Sequence, residues 1–215
     1  MDACPADALH GYYRWHARIY DATRWSFLFG RDRLVRRAAE ALGPRHDAAL
    51  RVVEVGCGTG RNLRRLAGVF PGAGLTGIDL CRPMIDRARR AVAGQAGRVD
   101  LVCEAYAPGS FEPASADLIV FSYSLSMFNP GFEAALDAAR GHLAPGGLVA
   151  VADFRHSPRA WFRAWMGVNH VRLDDQLLPE LTRRFAVTAV ETRPAYGGLW
   201  TYFLFLGRRG TPRTG

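Results

Sequence analysis

The chain has 215 residues, 49% of them hydrophobic, which suits one domain with a full core. Its formal net charge is +8, all 28 Lys/Arg positions are arginine, and no apolar run approaches the ~18 residues a membrane span needs. The basic balance suits an anionic partner surface. Its arginine pairs are scattered, however, with no long basic run and no zinc-finger spacing, so no nucleic acid is expected.

The N-terminal stretch MDACPADALHGYYRWH has no apolar segment of the kind a signal peptide carries, and residues 1–9 read as loosely attached. Tyr12, Tyr13, Trp15, His16, Ile19 and Tyr20 fit a helix with an aromatic face, broken at Asp21-Ala22-Thr23. Trp25, Phe27, Leu28 and Phe29 follow, punctuated by Gly30. Arg31 to Leu42 reads as a second helix, with Leu34, Val35, Ala38, Ala39 and Leu42 on one side and Gly43-Pro44 as its stop. Val52 to Val55 is a short buried strand. Gly56, Gly58 and Gly60 then form a turn, and from Arg61 the apolar residues Leu63, Leu66, Ala67 and Phe70 recur with helical spacing. Gly74 to Leu80 is a second strand carrying Asp79 at its end, and Arg82 to Ala93 a helix with Pro83 in its first turn. Val99 to Cys103 is a third strand. Ser115 to Phe121 is a fourth, followed by the turn Ser122 to Met127. Phe132 to Leu143 is helical and Leu148 to Asp153 is a fifth strand. Residues 155–171, rich in Trp161, Phe162 and Trp165, turn helical after Ser157-Pro158. Pro179 to Phe185 is a short helix. Ala186 to Thr192 and Leu199 to Leu206 pair as terminal strands, and the tail from Gly207 is expected to fray.

A strand, a glycine turn and a helix N-terminus make a nucleotide-site candidate at the carboxyl end of a sheet. Asp79 ends the next strand, where an acid accepts hydrogen bonds from ribose hydroxyls. The glycine pattern is G-x-G-x-G, with Arg61 standing where a dinucleotide fingerprint needs its last glycine, and no P-loop occurs in a chain without lysine. Of the cysteines Cys4, Cys57, Cys81 and Cys103, none form C-x-x-C, so no metal site is expected. Three of them follow the first three strands, as small apolar residues near the mouth of the sheet. Free thiols fit a reducing, cytoplasmic setting.

The run E-V-G-C-G-T-G at 54–60 with G-I-D at 77–79, Asp117 to Phe121, and Leu143 to Leu148 as a helix–turn before the fifth strand together resemble the motifs of class I S-adenosylmethionine-dependent methyltransferases, over roughly residues 48 to 155. The resemblance implies an α/β Rossmann-like fold: a seven-stranded, mostly parallel sheet flanked by helices. It further implies a single domain over 1–215, with an N-terminal helical lid at 10–43 and a cofactor-binding core at 48–207. S-adenosyl-L-methionine is the cofactor so implied. Its binding residues would be Glu54, Gly56, Cys57, Gly58, Gly60, Asn62, Asp79, Leu80, Met84, Glu104, Ala105 and Ser122. Glu104 departs from the family's usual aspartate beside the adenine.

No N-P-P-Y or D-P-P-Y follows the fourth strand, and no cysteine stands there, which disfavours adenine, glutamine and C5-cytosine as acceptors. Residues 13–31, FSYSLSM at 121–127 and GLWTYFLFLGRR at 198–209 resemble the methyltransferase component of betaine-lipid synthesis, which trimethylates the amino group of diacylglyceryl-homoserine. That resemblance implies a lipid head group or small amine as substrate, and peripheral contact with an anionic membrane at its inner face. It puts catalytic roles on Tyr13, Tyr20 and Tyr123. A growing ammonium is attracted to tyrosine and tryptophan faces by about 0.5–2 kcal/mol per contact. The serine-rich turn Ser122 to Ser126 suits a polar head group. Arg14, Arg24, Arg155 and Arg172 are candidates for a carboxylate fork, and His16, His156 and His170 for a base. Other small-molecule N- or O-methylation, transfer of the cofactor's 3-amino-3-carboxypropyl arm, cyclisation, and a non-catalytic cofactor-binding regulator all stay open on the same cradle.

Overall fold

A computed structural model describes residues 27–44, 48–128, 131–168 and 171–210. The helix α1 (Arg31–Leu42) leads into the first βα units: β1 (Arg51–Val55), α2 (Arg61–Val69), β2 (Gly74–Ile78), α3 (Arg82–Ala91) and β3 (Val99–Val102). Then come β4 (Ala116–Ser122), α4 (Phe132–His142), β5 (Leu143–His156), α5 (Ala160–Val168), α6 (Leu177–Arg184), β6 (Ala186–Ala195) and β7 (Trp200–Arg208). The strands form one seven-stranded sheet in the order β3-β2-β1-β4-β5-β7-β6. Neighbours from β3 to β5 are parallel, whereas β7 runs antiparallel to both β5 and β6. This is the expected Rossmann-like sheet with its antiparallel terminal strand.

Strand alternation divides the core between two faces. Val52, Leu118, Leu148, Ala150, Leu204 and Leu206 point to one face and pack with Leu34, Val35 and Ala38 of α1 and Leu63 and Leu66 of α2. Val53, Val55, Ile119, Phe121, Val149, Val151, Phe203 and Phe205 point to the other, against Leu136 and Ala139 of α4 and Leu177 and Leu181 of α6. Both faces are therefore covered, which is why the central strands read as continuous apolar runs.

Three boundaries correct the sequence expectation. Leu143 to Leu148 is not a helix–turn leading into β5 but the start of β5 itself. Leu143 pairs with Ala116 and Leu148 with Leu118, so the register shifts between them. Pro145 offers no N–H, and Gly146 takes a left-handed φ of 71°, so this part of the strand bulges instead of pairing. At its other end β5 runs through Arg155 and His156, which delays α5 to Ala160. Pro194 lies within β6, an edge strand, where a missing N–H is tolerated.

The expected lid also divides. Its Arg31–Leu42 portion is a sheet-packing helix whose Leu34, Val35, Ala38 and Leu42 are buried, and residues 10–26 lie outside the described residues. Phe27 stacks on Trp200 at 5.1 Å between ring centroids, and Phe162 stacks on the same indole at 5.2 Å. Phe27 therefore packs, while Phe29 stays 39% exposed.

Candidate active site

β1 carries Glu54 into the interior, where it is 1% exposed. In the first turn of α2, Asn62 Nδ2 donates to Glu54 Oε1 at 2.9 Å. The other two oxygens of this pair, Glu54 Oε2 and Asn62 Oδ1, are buried without a hydrogen-bond partner among the described residues. Buried acceptors left unpaired cost about 1–3 kcal/mol each, so this pair could take a donor that a ligand brings. Burial pushes the Glu54 carboxyl up to about 7, against the pull of the Asn62 amide and of the Arg31 charge.

The glycine turn hangs from β2. The N–H groups of Gly56 and Cys57 both donate to the Ile78 carbonyl, at 2.8 and 3.1 Å. Gly58 N–H donates to Asp79 Oδ2 and Cys81 N–H to Asp79 Oδ1, each at 2.9 Å. Gly56 adopts φ +71°, and a Cβ there would come within 2.5 Å of Ser124 Cβ, so only glycine fits. Burial raises the Asp79 pKa, while the Cys81 and Gly58 N–H groups hold it down. A carboxylate has about four lone-pair sites. Each Asp79 oxygen thus keeps capacity for a ribose hydroxyl while bracing the turn.

The remaining expected cofactor residues ring the same edge. Gly60 is the N-cap of α2. Cys57 and Met84 are buried, and Leu80 is 52% exposed just beyond β2. Glu104 and Ala105 are exposed on the neighbouring loop after β3, which Cys103 ties to Leu80 through an Sγ–carbonyl contact of 3.8 Å. Burial raises the Cys57 thiol far above its ordinary range. Orphaned acceptors, a turn that a side chain would fill, a braced acid and an exposed apolar residue beside it fit S-adenosylmethionine. Glu54, Asn62, Gly56, Gly58 and Asp79 would hold it.

The turn after β4 is a correction. Ser122, Ser124 and Ser126 are all buried. Ser122 Oγ accepts from Arg31 Nε at 2.9 Å, and Ser124 Oγ donates to the Val55 carbonyl at 2.8 Å. The hydroxyls of Ser122 and Ser124, which suggested a head-group site, face inward and serve the fold. Tyr123 sits at φ +58°, 3% exposed, and its hydroxyl donates to the Phe29 carbonyl at 2.8 Å. Its pKa is driven well above the ordinary value, first by burial. Two of the arginines considered for an acceptor carboxylate are paired within the fold: Arg155 with Asp175 at 2.8 Å and Arg172 with Asp174 at 2.6 Å. Tyr13, Tyr20, Arg14, Arg24, His16 and His170 lie outside the described residues. His156 ends β5 opposite Thr201 and is exposed.

Two groups at this edge were not singled out from sequence. Asp153 is fully buried, accepts from Ser126 N–H at 3.2 Å, and is pushed up to about 6 by burial. Arg31 reaches Ser122 across 91 positions of chain. No local pattern announces a contact of that range.

Residues 52–147 match a family profile described as a methyltransferase domain. The chain is similar to the trans-aconitate 2-methyltransferase of Paracidovorax citrulli, 37% identical over 115 residues, covering 52% of this chain and 42% of that relative. It is also similar to the demethylmenaquinone methyltransferase of Thermus thermophilus, 29% identical over 143 residues, covering 66% and 64%. The chain thus spans less than half the length of the first of these relatives. In fold it resembles the 1,6-didemethyltoxoflavin-N1-methyltransferase of Burkholderia thailandensis, solved with S-adenosylhomocysteine bound. The TM-score is 0.71 at 16% identity, covering 98% of this chain and 92% of that one. Over residues 52–147 the chain is thus similar to methyltransferase domains, and its fold is that of solved methyltransferases.

Proposed function

We propose that this chain is, as a single domain, an S-adenosylmethionine-dependent methyltransferase that acts on a small-molecule acceptor. The observation that carries the reading is the buried Glu54–Asn62 pair, whose two unpaired acceptors lie beside a glycine turn braced by Asp79. Bound there, the cofactor would supply an electrophilic methyl group on a sulfonium. The protein's task is then chiefly orientation, which can contribute about 7–11 kcal/mol toward such a displacement. No strong base is called for if the acceptor arrives as a neutral amine or an ionised carboxylate.

For the acceptor, an amine on a lipid head group is the finer reading, resting on the resemblance of residues 13–31 and 198–209 to the betaine-lipid enzyme. It carries with it peripheral contact with an anionic membrane, supported by the +8 net charge. Among the described residues no helix is long and apolar enough to cross a membrane. A small polycarboxylate is the second reading, favoured by the 37% identity to a trans-aconitate 2-methyltransferase.

The deciding experiment incubates the full chain with S-adenosylmethionine and, separately, a lipid extract containing diacylglyceryl-homoserine or trans-aconitate, followed by mass spectrometry. Methyl gain on the lipid with S-adenosylhomocysteine released supports the amine reading, and methyl gain on trans-aconitate replaces it with the second. Release of methylthioadenosine in place of S-adenosylhomocysteine overturns methyl transfer in favour of arm transfer or cyclisation.

A further inference from the structure

The helix α5 (Ala160–Val168) carries apolar residues on both its inner and its outer face. Phe162 and Met166, one turn apart, point inward and are buried, with Phe162 stacked on Trp200 at 5.2 Å between ring centroids. On the outer side Trp161, Ala164, Trp165 and Val168 recur at helical spacing, and all four are exposed. Trp161 is 63% exposed and Val168 76%. Trp165 keeps 48% exposure even though its ring lies 6.0 Å from that of Phe27. Large apolar side chains grouped in this way mark an interaction surface. The stretch from 154 to 173 holds four arginines and no acid. Arg155 and Arg172 are bonded to Asp175 and Asp174. Arg159 and Arg163 are exposed next to the stripe, and neither forms an ion pair among the described residues.

A tryptophan joins an apolar ring to an indole N–H, so it settles where hydrocarbon meets polar head groups. Arginines beside it are drawn to the negative surface of anionic lipid, each by roughly a five-fold gain in binding. A helix with tryptophans on its outer face, arginines at its flank and no acid nearby has the composition of an element that lies in that interface rather than across it. We infer that the outer face of α5 docks on an anionic lipid bilayer, with Trp161 and Val168 entering the head-group layer and Arg159 and Arg163 meeting lipid phosphates. The inference rests on the membrane contact proposed above and gives that contact a surface. Its placement suits a head-group acceptor. β5 is parallel to β4, so α5 starts from the carboxyl edge of the sheet. After α5 the chain returns to the turn beyond β4, where Arg172 N–H donates to the Ser126 carbonyl at 3.2 Å. A bilayer on α5 thus borders the edge that carries Glu54, the glycine turn and Asp79.

Co-sedimentation of the full chain with vesicles tests this, using equal parts of phosphatidylglycerol and phosphatidylcholine against phosphatidylcholine alone. The wild type should bind the mixed vesicles, bind the neutral ones far more weakly, and lose most of the difference in 1 M salt. Trp161→Ala should weaken binding to the mixed vesicles roughly ten-fold, because burial of a large apolar side chain is lost. Arg159→Gln should weaken it roughly five-fold. Val187→Ser removes a 53% exposed apolar side chain from the start of β6, at the amino edge of the sheet, and should leave binding unchanged. Thermal melts confirm that each variant is folded. Vesicle binding that Trp161→Ala and Arg159→Gln leave intact overturns the assignment to α5 but keeps the membrane contact. A wild type that ignores anionic vesicles overturns both, and the mass-spectrometric assay of methyl transfer is untouched by that outcome. Sedimentation velocity examines a second copy of this chain as the occupant. A wild-type dimer that Trp161→Ala converts to monomer, without vesicle binding, overturns the inference in favour of self-association.

Discussion

A Cβ built on Gly56 lies 2.5 Å from the Cβ of Ser124 and 3.2 Å from its Oγ, while one built on Gly58 meets nothing within 4 Å. Both residues have left-handed backbones, with φ of +71° and +54°, so alanine at either costs about 1–2 kcal/mol in backbone strain. Only at position 56 does overpacking add to it, typically another 1–3 kcal/mol. Ser124 is also poorly placed to yield, because its hydroxyl is bonded to the Val55 carbonyl in a buried turn. Gly56→Ala should therefore lower stability by about 3 kcal/mol and Gly58→Ala by about 1 kcal/mol in urea unfolding. The clash is with a Cβ, so Ser124→Gly should recover part of the loss in the Gly56→Ala background and Ser124→Ala none of it. Equal penalties at the two glycines, or rescue by Ser124→Ala, would show that the contact with Ser124 is not what excludes a side chain at 56.

At the scale of the element, α1 is held to the sheet in two ways whose strengths differ. Its apolar face, Leu34, Val35, Ala38 and Leu42, is buried, whereas its polar face reaches β6 through Glu191. That carboxylate accepts from Arg33 Nε at 2.8 Å and Arg37 Nη2 at 2.9 Å. Truncating a buried leucine costs about 2–5 kcal/mol, while a solvent-facing ion pair is worth about 0–1 kcal/mol. Leu34→Ala should thus destabilise the protein several times more than Glu191→Gln, and 1 M salt should erase most of the smaller penalty. A larger, salt-resistant loss for Glu191→Gln would make the ion pairs the main tether. The boundaries of α1 could be read directly from the sequence, because a 3.6-residue apolar period ends on Gly43-Pro44. The same is true of β1 and its glycine turn, where the chemistry is contiguous in the chain. At the start of β5, Pro145 and Gly146 signal a turn locally, and only pairing with β4 shows that the strand continues around a bulge. The serines at 122, 124 and 126 announced hydroxyls but not their direction. Ser122 is turned toward Arg31 and Ser124 toward the Val55 carbonyl, both partners far away in sequence.

For the molecule as a whole, covering both faces of the sheet encloses Glu54 and Asp153, two carboxyl groups that no cation among the described residues neutralises directly by a hydrogen bond. Burial pushes Glu54 from 4.5 up to about 7 and Asp153 from 3.8 up to about 6. In both cases the folded protein holds a proton more tightly than the unfolded chain. Stability from these groups is therefore fully present below the unfolded values and is lost as pH rises through the folded ones, across about pH 4.5 to 7 for Glu54 and 3.8 to 6 for Asp153. The Glu54 share amounts to roughly 3 kcal/mol. Glu191 acts in the opposite sense. Hydrogen bonds, first from Arg33, hold it down at about 2, so its contribution is present above its ordinary value and is lost as pH falls toward 2. The ligand-free protein should accordingly melt at its highest temperature at mildly acidic pH, between about 4.5 and 6, and decline toward pH 8. Glu54→Gln keeps an acceptor for Asn62 and removes the titration, so it should flatten the decline and raise the midpoint at pH 8. Asp153→Asn should remove a smaller part, at lower pH. Melts of the wild type and both variants at intervals from pH 4 to 8 test this. A wild-type midpoint that rises from pH 5.5 to 8, or a decline that Glu54→Gln leaves unchanged, would mean that the buried carboxyl at the end of β1 is ionised in the folded protein throughout.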